Sequence, residues 1–353
     1  MKIWKRLMKV AAGIAAVLIL IVGVLFMLPA RTPQIEADGK KVPGSIAEIK
    51  KVNIGGMEQT LLIRGHNRQN PVILFLHGGP GQSDIGMIRN YQEELEKEFV
   101  VVRWDQRGAG ASYSKDIPEE SFTIEQFLQD ADEVTDYLRD RFDQSRIFIS
   151  GHSWGTVLGT LAVQRHPDKY SAYISVGQVV NMKENEKIAY SFALQRAKEE
   201  QDTDAIQELE NVELLYTFDN MMSYRKYVSK FGGVIHTEPE KGLMSSLLFS
   251  SEYRLIDKLS YQSRIIKSGK RLNDEIMSVN LMEDVKQLEV PTYFIIGKHD
   301  YTTAYTLVEQ FCEQLKAPDK ELIVFENSAH LPQLEESEKF NRTLIGIKEQ
   351  IKD

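Results

Sequence analysis

Gly151-His152-Ser153-Trp154-Gly155 sets one hydroxyl between two glycines, directly behind the apolar run Ile147-Phe148-Ile149 and ahead of the helical stretch Thr156–Arg165. A chain that leaves a strand and enters a helix over so few residues must turn sharply, with strained dihedrals at the central residue. Small flanking residues let backbones pass close by while the hydroxyl oxygen projects above the sheet. The start of the helix behind it favours developing negative charge. The Gly-x-Ser-x-Gly pattern alone is a weak signal. Its place between strand and helix makes Ser153 the candidate nucleophile.

A serine hydroxyl is a weak nucleophile, so a base must take its proton and a carboxylate must hold that base in the right tautomer. Seven histidines compete for the role. His330, in Asn327-Ser328-Ala329-His330, follows the last apolar run, at the strand edge where open α/β sheets build their sites. His66 beside an early hairpin and His166 ahead of Pro167 read as surface polar residues, and His236 falls in a helical insertion. His299 is followed by a better candidate for another role. That residue, Asp300 in Gly297-Lys298-His299-Asp300, ends the preceding apolar run and is the candidate orienting acid; capping a helix over 302–315 is the other use of its carboxylate.

The reaction also needs donors for a tetrahedral oxyanion. His77-Gly78-Gly79-Pro80-Gly81 follows the run Val72–Leu76, and its glycines let backbone N–H groups point at a ligand. The amides of Gly79 and Trp154 are the candidate pair. His77, Gly78, Asp105 and Arg107 read as residues that brace the site, the last two from Trp104-Asp105-Gln106-Arg107-Gly108. Asp105 is the alternative catalytic acid.

Positioning these groups requires a sheet. Val72–Leu76, Phe99–Arg103, Arg146–Ser150, Ala172–Val176, Thr292–Ile296 and Leu322–Phe325 are continuous apolar runs of the kind buried on both faces of a parallel sheet. Amphipathic stretches Ile124–Arg141, Thr156–Arg165, Ala304–Leu315 and Glu336–Ile351 separate them, an α/β rhythm. Ile46–Ile54 and Met57–Arg64 read as a hairpin around Gly55-Gly56. The rhythm breaks over 181–275, which reads as an inserted helical cap between core segments 46–180 and 276–353. Tyr216, Phe218, Met221, Met222, Tyr224 and Tyr227 serve there as cap core or as lining of a substrate pocket. The expected fold is that of an α/β hydrolase: a mostly parallel sheet with helices on both faces, the cap, and an N-terminal transmembrane helix. The order Ser153, Asp300, His330 suits that fold and differs from the chymotrypsin and subtilisin orders.

The helix is expected from Val10–Leu28, nineteen uncharged residues that would rise roughly 28 Å, close to a bilayer's hydrocarbon thickness. Lys2, Lys5, Arg6 and Lys9 precede it and only Arg31 follows closely, so the N-terminus is expected in the cytoplasm, with the body outside the cell membrane beyond a linker at 31–45. A cleaved signal and a secreted body are the alternative; the run exceeds the usual length and Leu28-Pro29-Ala30 is a poor cleavage site. The 43 basic residues less those four leave 39 against 51 acidic, a balance of −12. An acidic body argues against nucleic acid as partner. Cys312 is the single cysteine, so no internal disulfide forms. No Cys/His cluster has metal-ligand spacing.

With His77–Gly81, Asp105–Ser112, Gly151–Gly155, Asp300 and His330 in order, the chain resembles the prolyl iminopeptidase family of serine peptidases. The resemblance implies release of N-terminal residues, often proline, from short peptides, with no metal or cofactor, a triad of Ser153, Asp300 and His330, and an oxyanion hole of Gly79 and Trp154. Two departures bear on substrate. Members commonly carry glycine where His152 stands, and their caps carry a Trp-Glu element whose glutamate holds the substrate's amino group. No tryptophan follows Trp154 here, and Glu208, Glu210 and Glu213 are the cap carboxylates left for that role, or else a solvated helix face. A carboxylesterase or lipase-like hydrolase of small acyl esters is the second reading. A non-catalytic binding protein on the same scaffold is the third, although no triad member is missing.

Overall fold

The computed structural model describes residues 23–213, 216–238 and 242–351, with scattered positions before residue 23. Eight strands form one sheet: β1 (Ile46–Ile54), β2 (Met57–Gly65), β3 (Val72–Leu76), β4 (Val100–Asp105), β5 (Ile147–His152), β6 (Tyr170–Val176), β7 (Thr292–Gly297) and β8 (Lys320–Phe325). Their spatial order is β1-β2-β4-β3-β5-β6-β7-β8. The hairpin β1–β2 and the pair β2–β4 are antiparallel, and every pairing from β4 through to β8 is parallel.

Alternation along the strands feeds two cores. Leu74, Leu76, Val102, Ile149 and Tyr173 face helices α1 (Ile124–Phe142) and α2 (Trp154–Arg165), while Ile73, Phe75, Val101, Phe148 and Ile174 face the C-terminal helix Ser337–Gln350. Burial on both faces is why these strands read as unbroken apolar runs. Helix α1 starts where the Thr123 hydroxyl accepts from the Gln126 amide and stops at Asp143 in the left-handed region, so both ends are capped.

Between β6 and β7 the chain leaves the sheet. The excursion is pinned at its base, where Asn181 pairs with Asn280, Met182 N–H donates to Val279 and Leu281 N–H to Val180. Helices α3 (Met182–Glu199), α4 (Thr203–Glu210), α5 (Phe218–Lys230), α6 (Leu243–Phe249), α7 (Leu255–Leu259), α8 (Tyr261–Arg271) and α9 (Asn273–Met277) make it up. Met221, Tyr224 and Tyr227 are buried and join the larger core, with Tyr216 packed against it; Met222 is exposed. Phe218 covers Gly269, where an added Cβ would meet its ring at 2.2 Å.

The expected membrane helix receives no support. Among the described residues no helix is long and apolar enough to cross a membrane, and most of Val10–Leu28 lies outside them.

Candidate active site

Ser153 is the residue between β5 and α2, at φ 53° and ψ −120°, a conformation that costs an L-residue on the order of 1–3 kcal/mol. Close backbone contacts hold it there. A Cβ on Gly151 would lie 2.3 Å from the Gly155 carbonyl oxygen, and one on Gly155 would lie 2.1 Å from that of Leu76. Neither position admits a side chain, so the two glycines fix the turn. The Ser153 amide donates to the Val176 carbonyl at 2.9 Å, tying the turn to the end of β6.

The loops after β7 and β8 bring Asp300 and His330 together. His330 Nδ1 lies 2.8 Å from Asp300 Oδ2, and both side chains are buried. A carboxylate there accepts, so Nδ1 carries the proton and Nε2 is left as the basic nitrogen. The carboxylate is itself held: Oδ1 accepts from the amides of Thr302 and Thr303, and Oδ2 from the Thr303 hydroxyl, each at 2.8 Å. Contact with the candidate base and capping of the turn, alternatives in the sequence, fall to one carboxylate here, and helix Tyr305–Gln314 begins a few residues later. Among the described residues no hydrogen bond joins Ser153 Oγ to the imidazole. Such bonds are often long until a substrate tightens the site.

His152, beside the candidate nucleophile, lies against His330. Its ring centroid is 4.8 Å from that of His330, and its Nε2 donates to the His330 carbonyl at 2.9 Å. Burial, then the neighbouring His330, push its pKa down to about 3, so it stands as a neutral spacer between β5 and the base loop.

The loop His77–Gly81 closes over the turn. Cβ atoms on Gly78 would sit 3.0 Å from His152 Nδ1 and 3.2 Å from Ser153 Cβ. The Gly79 and Trp154 amides donate to no acceptor among the described residues, and both residues line the same small cavity as Ser153. Two unspent N–H groups beside a hydroxyl can stabilise an oxyanion. Behind them the bracing residues divide the work. His77 Nδ1 bonds the Gly78 carbonyl and its Nε2 accepts from the Gln106 amide, while Gln106 bridges the His77 carbonyl and the Trp154 indole. Burial holds the His77 pKa below its ordinary value.

Asp105 and Arg107 do not pair with each other. Asp105 is buried under the loop and accepts from Ser83, Tyr253 and the Ala111 amide; burial raises its pKa to about 7 against the lowering effect of these donors. It bonds Ser83 rather than His330, which leaves Asp300 as the carboxylate on the base. Arg107 forks onto Asp130 of α1 at 2.8–2.9 Å and onto the Gly55 carbonyl at 2.9 Å, locking the loop to the hairpin.

The cavity that Ser153 lines holds about 30 Å³. Its floor and sides come from Gly79, Ser153, Trp154, Val157 and Val179, and its roof includes Met182, Arg225 and Ile276. None of the six cap aromatics and methionines named from sequence lines it. Glu208 and Glu210 pair with Lys226 and Lys198 on the exterior, and Glu213 is exposed, so these carboxylates do not reach Ser153. Gln106, Thr303 and Arg225 escaped the sequence reading. Gln106 sits inside a motif already singled out and Thr303 lies three residues after Asp300; Arg225 is joined to the site only by folding.

The family model described as alpha/beta hydrolase fold matches residues 71–337. The chain belongs to the α/β-hydrolase family. Over 312 residues it is 36% identical to the "Probable aminopeptidase YbaC" of Bacillus subtilis (strain 168), covering 85% of this chain and 96% of that one. It is 24% identical to the proline iminopeptidase of Thermoplasma volcanium over 280 residues, covering 77% and 87%. The crystal structure of proline iminopeptidase from Mycobacterium smegmatis superposes with a TM-score of 0.63 at 18% identity over 86% of this chain and 98% of that one, a likeness of fold. This α/β hydrolase is prolyl iminopeptidase-like, with aminopeptidase-named relatives.

Proposed function

We propose that this chain is a serine hydrolase of the prolyl iminopeptidase type that cleaves short peptides through an acyl-enzyme. The observation that carries the reading is the convergence at one sheet edge of a strained, glycine-fixed Ser153, the buried His330–Asp300 pair and two unspent amides. Ser153 Oγ attacks the scissile carbonyl as His330 Nε2 takes its proton, and the oxyanion is held by the Gly79 and Trp154 amides. His330 then gives that proton to the leaving amine. A water activated by the same nitrogen releases the acyl group. The sequence relatives named aminopeptidase support a peptide as substrate.

Replacing Ser153 by alanine is expected to lower turnover of amino-acyl p-nitroanilides by on the order of 10⁴-fold or more, with an unchanged circular dichroism spectrum. Full activity in that variant would refute the mechanism. A small-ester hydrolase is the second reading, favoured by the apolar Val157, Val179, Met182 and Ile276 of the cavity. Activity on p-nitrophenyl esters combined with none on any peptide would select it.

We further propose that Val10–Leu28 anchors the protein in a membrane. Its support is composition, together with exposed apolar residues beside the point where the chain joins the body. The Arg31 amide donates to the Ser251 carbonyl at 2.8 Å, next to Leu248 and the 83% exposed Phe249. Full-length protein should resist carbonate extraction from membranes and lose that resistance without residues 1–30; complete extraction of the intact chain would overturn the anchor.

A further inference from the structure

The charge in the cavity is of the wrong sign for holding an amino group. Its ionisable lining residue among those described is Arg225 of α5, 27% exposed in its side chain. The carboxylate behind it, Glu186 of α3, is fully buried and has no capacity to spare. Its oxygens accept from Arg225 Nε at 3.0 Å, from Arg225 Nη2, from the Tyr224 hydroxyl at 2.7 Å and from Asn185 Nδ2 at 3.4 Å. A substrate ammonium would have to displace those donors and enter beside a guanidinium.

The guanidinium, by contrast, has capacity left. Arg225 Nη1 donates to nothing among the described residues, and the Nε–Nη2 edge of the fork is locked on Glu186, so the free Nη1 group is preorganised. Burial alone would lower the pKa of Arg225, but the Glu186 carboxylate outweighs it and raises the value above the ordinary one. The side chain remains charged in a low-dielectric wall shared with Ser153, where a charge-assisted hydrogen bond to an anion is strong.

We propose that Arg225 is a specificity-determining residue that binds a substrate carboxylate close to the scissile carbonyl. The inference rests on the peptidase reading and narrows it. In a peptide, two sources place a carboxylate that near: the free C-terminus of a dipeptide, one residue beyond the bond cleaved, and an Asp or Glu side chain on the residue that forms the acyl-enzyme. Glu186 acts through Arg225 as a positioning residue.

The test compares kcat/KM for Ala-Ala with that for Ala-Ala-amide, and for glutamyl with glutaminyl p-nitroanilide, in the full chain and in Arg225→Gln paired with Glu186→Gln. The paired change leaves no charge buried without a partner. The unaltered protein should prefer the carboxylate in at least one pair by about 10- to 100-fold, the contribution of a charge-assisted hydrogen bond, and the paired variant should lose that preference. A ratio near one in both pairs, or a preference that survives the paired change, overturns the proposal. Fluorophosphonate labelling of Ser153 separates the two claims, since labelled protein without the preference refutes only the role of Arg225, and unlabelled protein refutes the hydrolase itself.

Discussion

The turn at Ser153 and the helical excursion above it are built by different means. At the turn, backbone meets backbone: Gly155 leaves 2.1 Å between a would-be Cβ and the Leu76 carbonyl, and Ser153 is forced to positive φ. Over the cavity, side chains set the geometry, with Arg225 held across two helices by Glu186, which also accepts from the Tyr224 hydroxyl. The first region can vary little without losing its shape. The second can change its charge by substitution while its helices persist.

The turn region is most sensitive at His330. Asp300→Asn keeps the size of the side chain but puts an amide opposite His330 Nδ1, favouring the wrong tautomer; kcat should fall on the order of 10³- to 10⁴-fold with little change in KM. An unchanged kcat would argue that Asp300 only caps its turn. Next in size is Gly155→Ala, which drives a methyl into the Leu76 carbonyl and should destabilise the fold by about 3 kcal/mol or more, measured by urea denaturation. A neutral result would mean that the elbow yields more easily than its contacts imply.

The last effect concerns His152 and shows only in acid. Its pKa lies near 3 when folded and near 6.5 when unfolded, so below about 6.5 the unfolded chain takes up a proton that the folded one refuses. Its share of stability is therefore constant at higher pH and is lost as pH falls from about 6.5 towards 3. His152→Gln should flatten that part of the stability profile and, by keeping a donor to the His330 carbonyl, preserve the fold. An unchanged acid limb in thermal melts would show that the proton uptake lies elsewhere.

What the sequence discloses follows the same division. Ser153, the glycine loop, Asp300 and His330 are legible because each sits at a strand end, and strand ends are marked by apolar runs that stop at glycine or a polar residue. The hairpin and the six parallel-sheet runs are legible for the same reason. Glu186 and Arg225 are 39 residues apart on two helices, and nothing in local periodicity says that their faces meet; in isolation each reads as a solvated charge. Asp105 and Arg107 stand two apart in one motif, yet one turns to Ser83 and the other to Asp130, a divergence that only the loop's path decides. The cap methionines and tyrosines supplied core and surface, whereas the cavity took Met182 and Ile276 from the excursion's two ends.

Ser153 as a nucleophile activated by His330 can be tested on the intact protein. Intact protein treated with a fluorophosphonate and digested for mass spectrometry should carry one adduct, on Ser153, formed far more slowly when His330 is replaced by alanine. An adduct on another serine, or none on protein that still turns over substrate, would rule out Ser153 as the nucleophile.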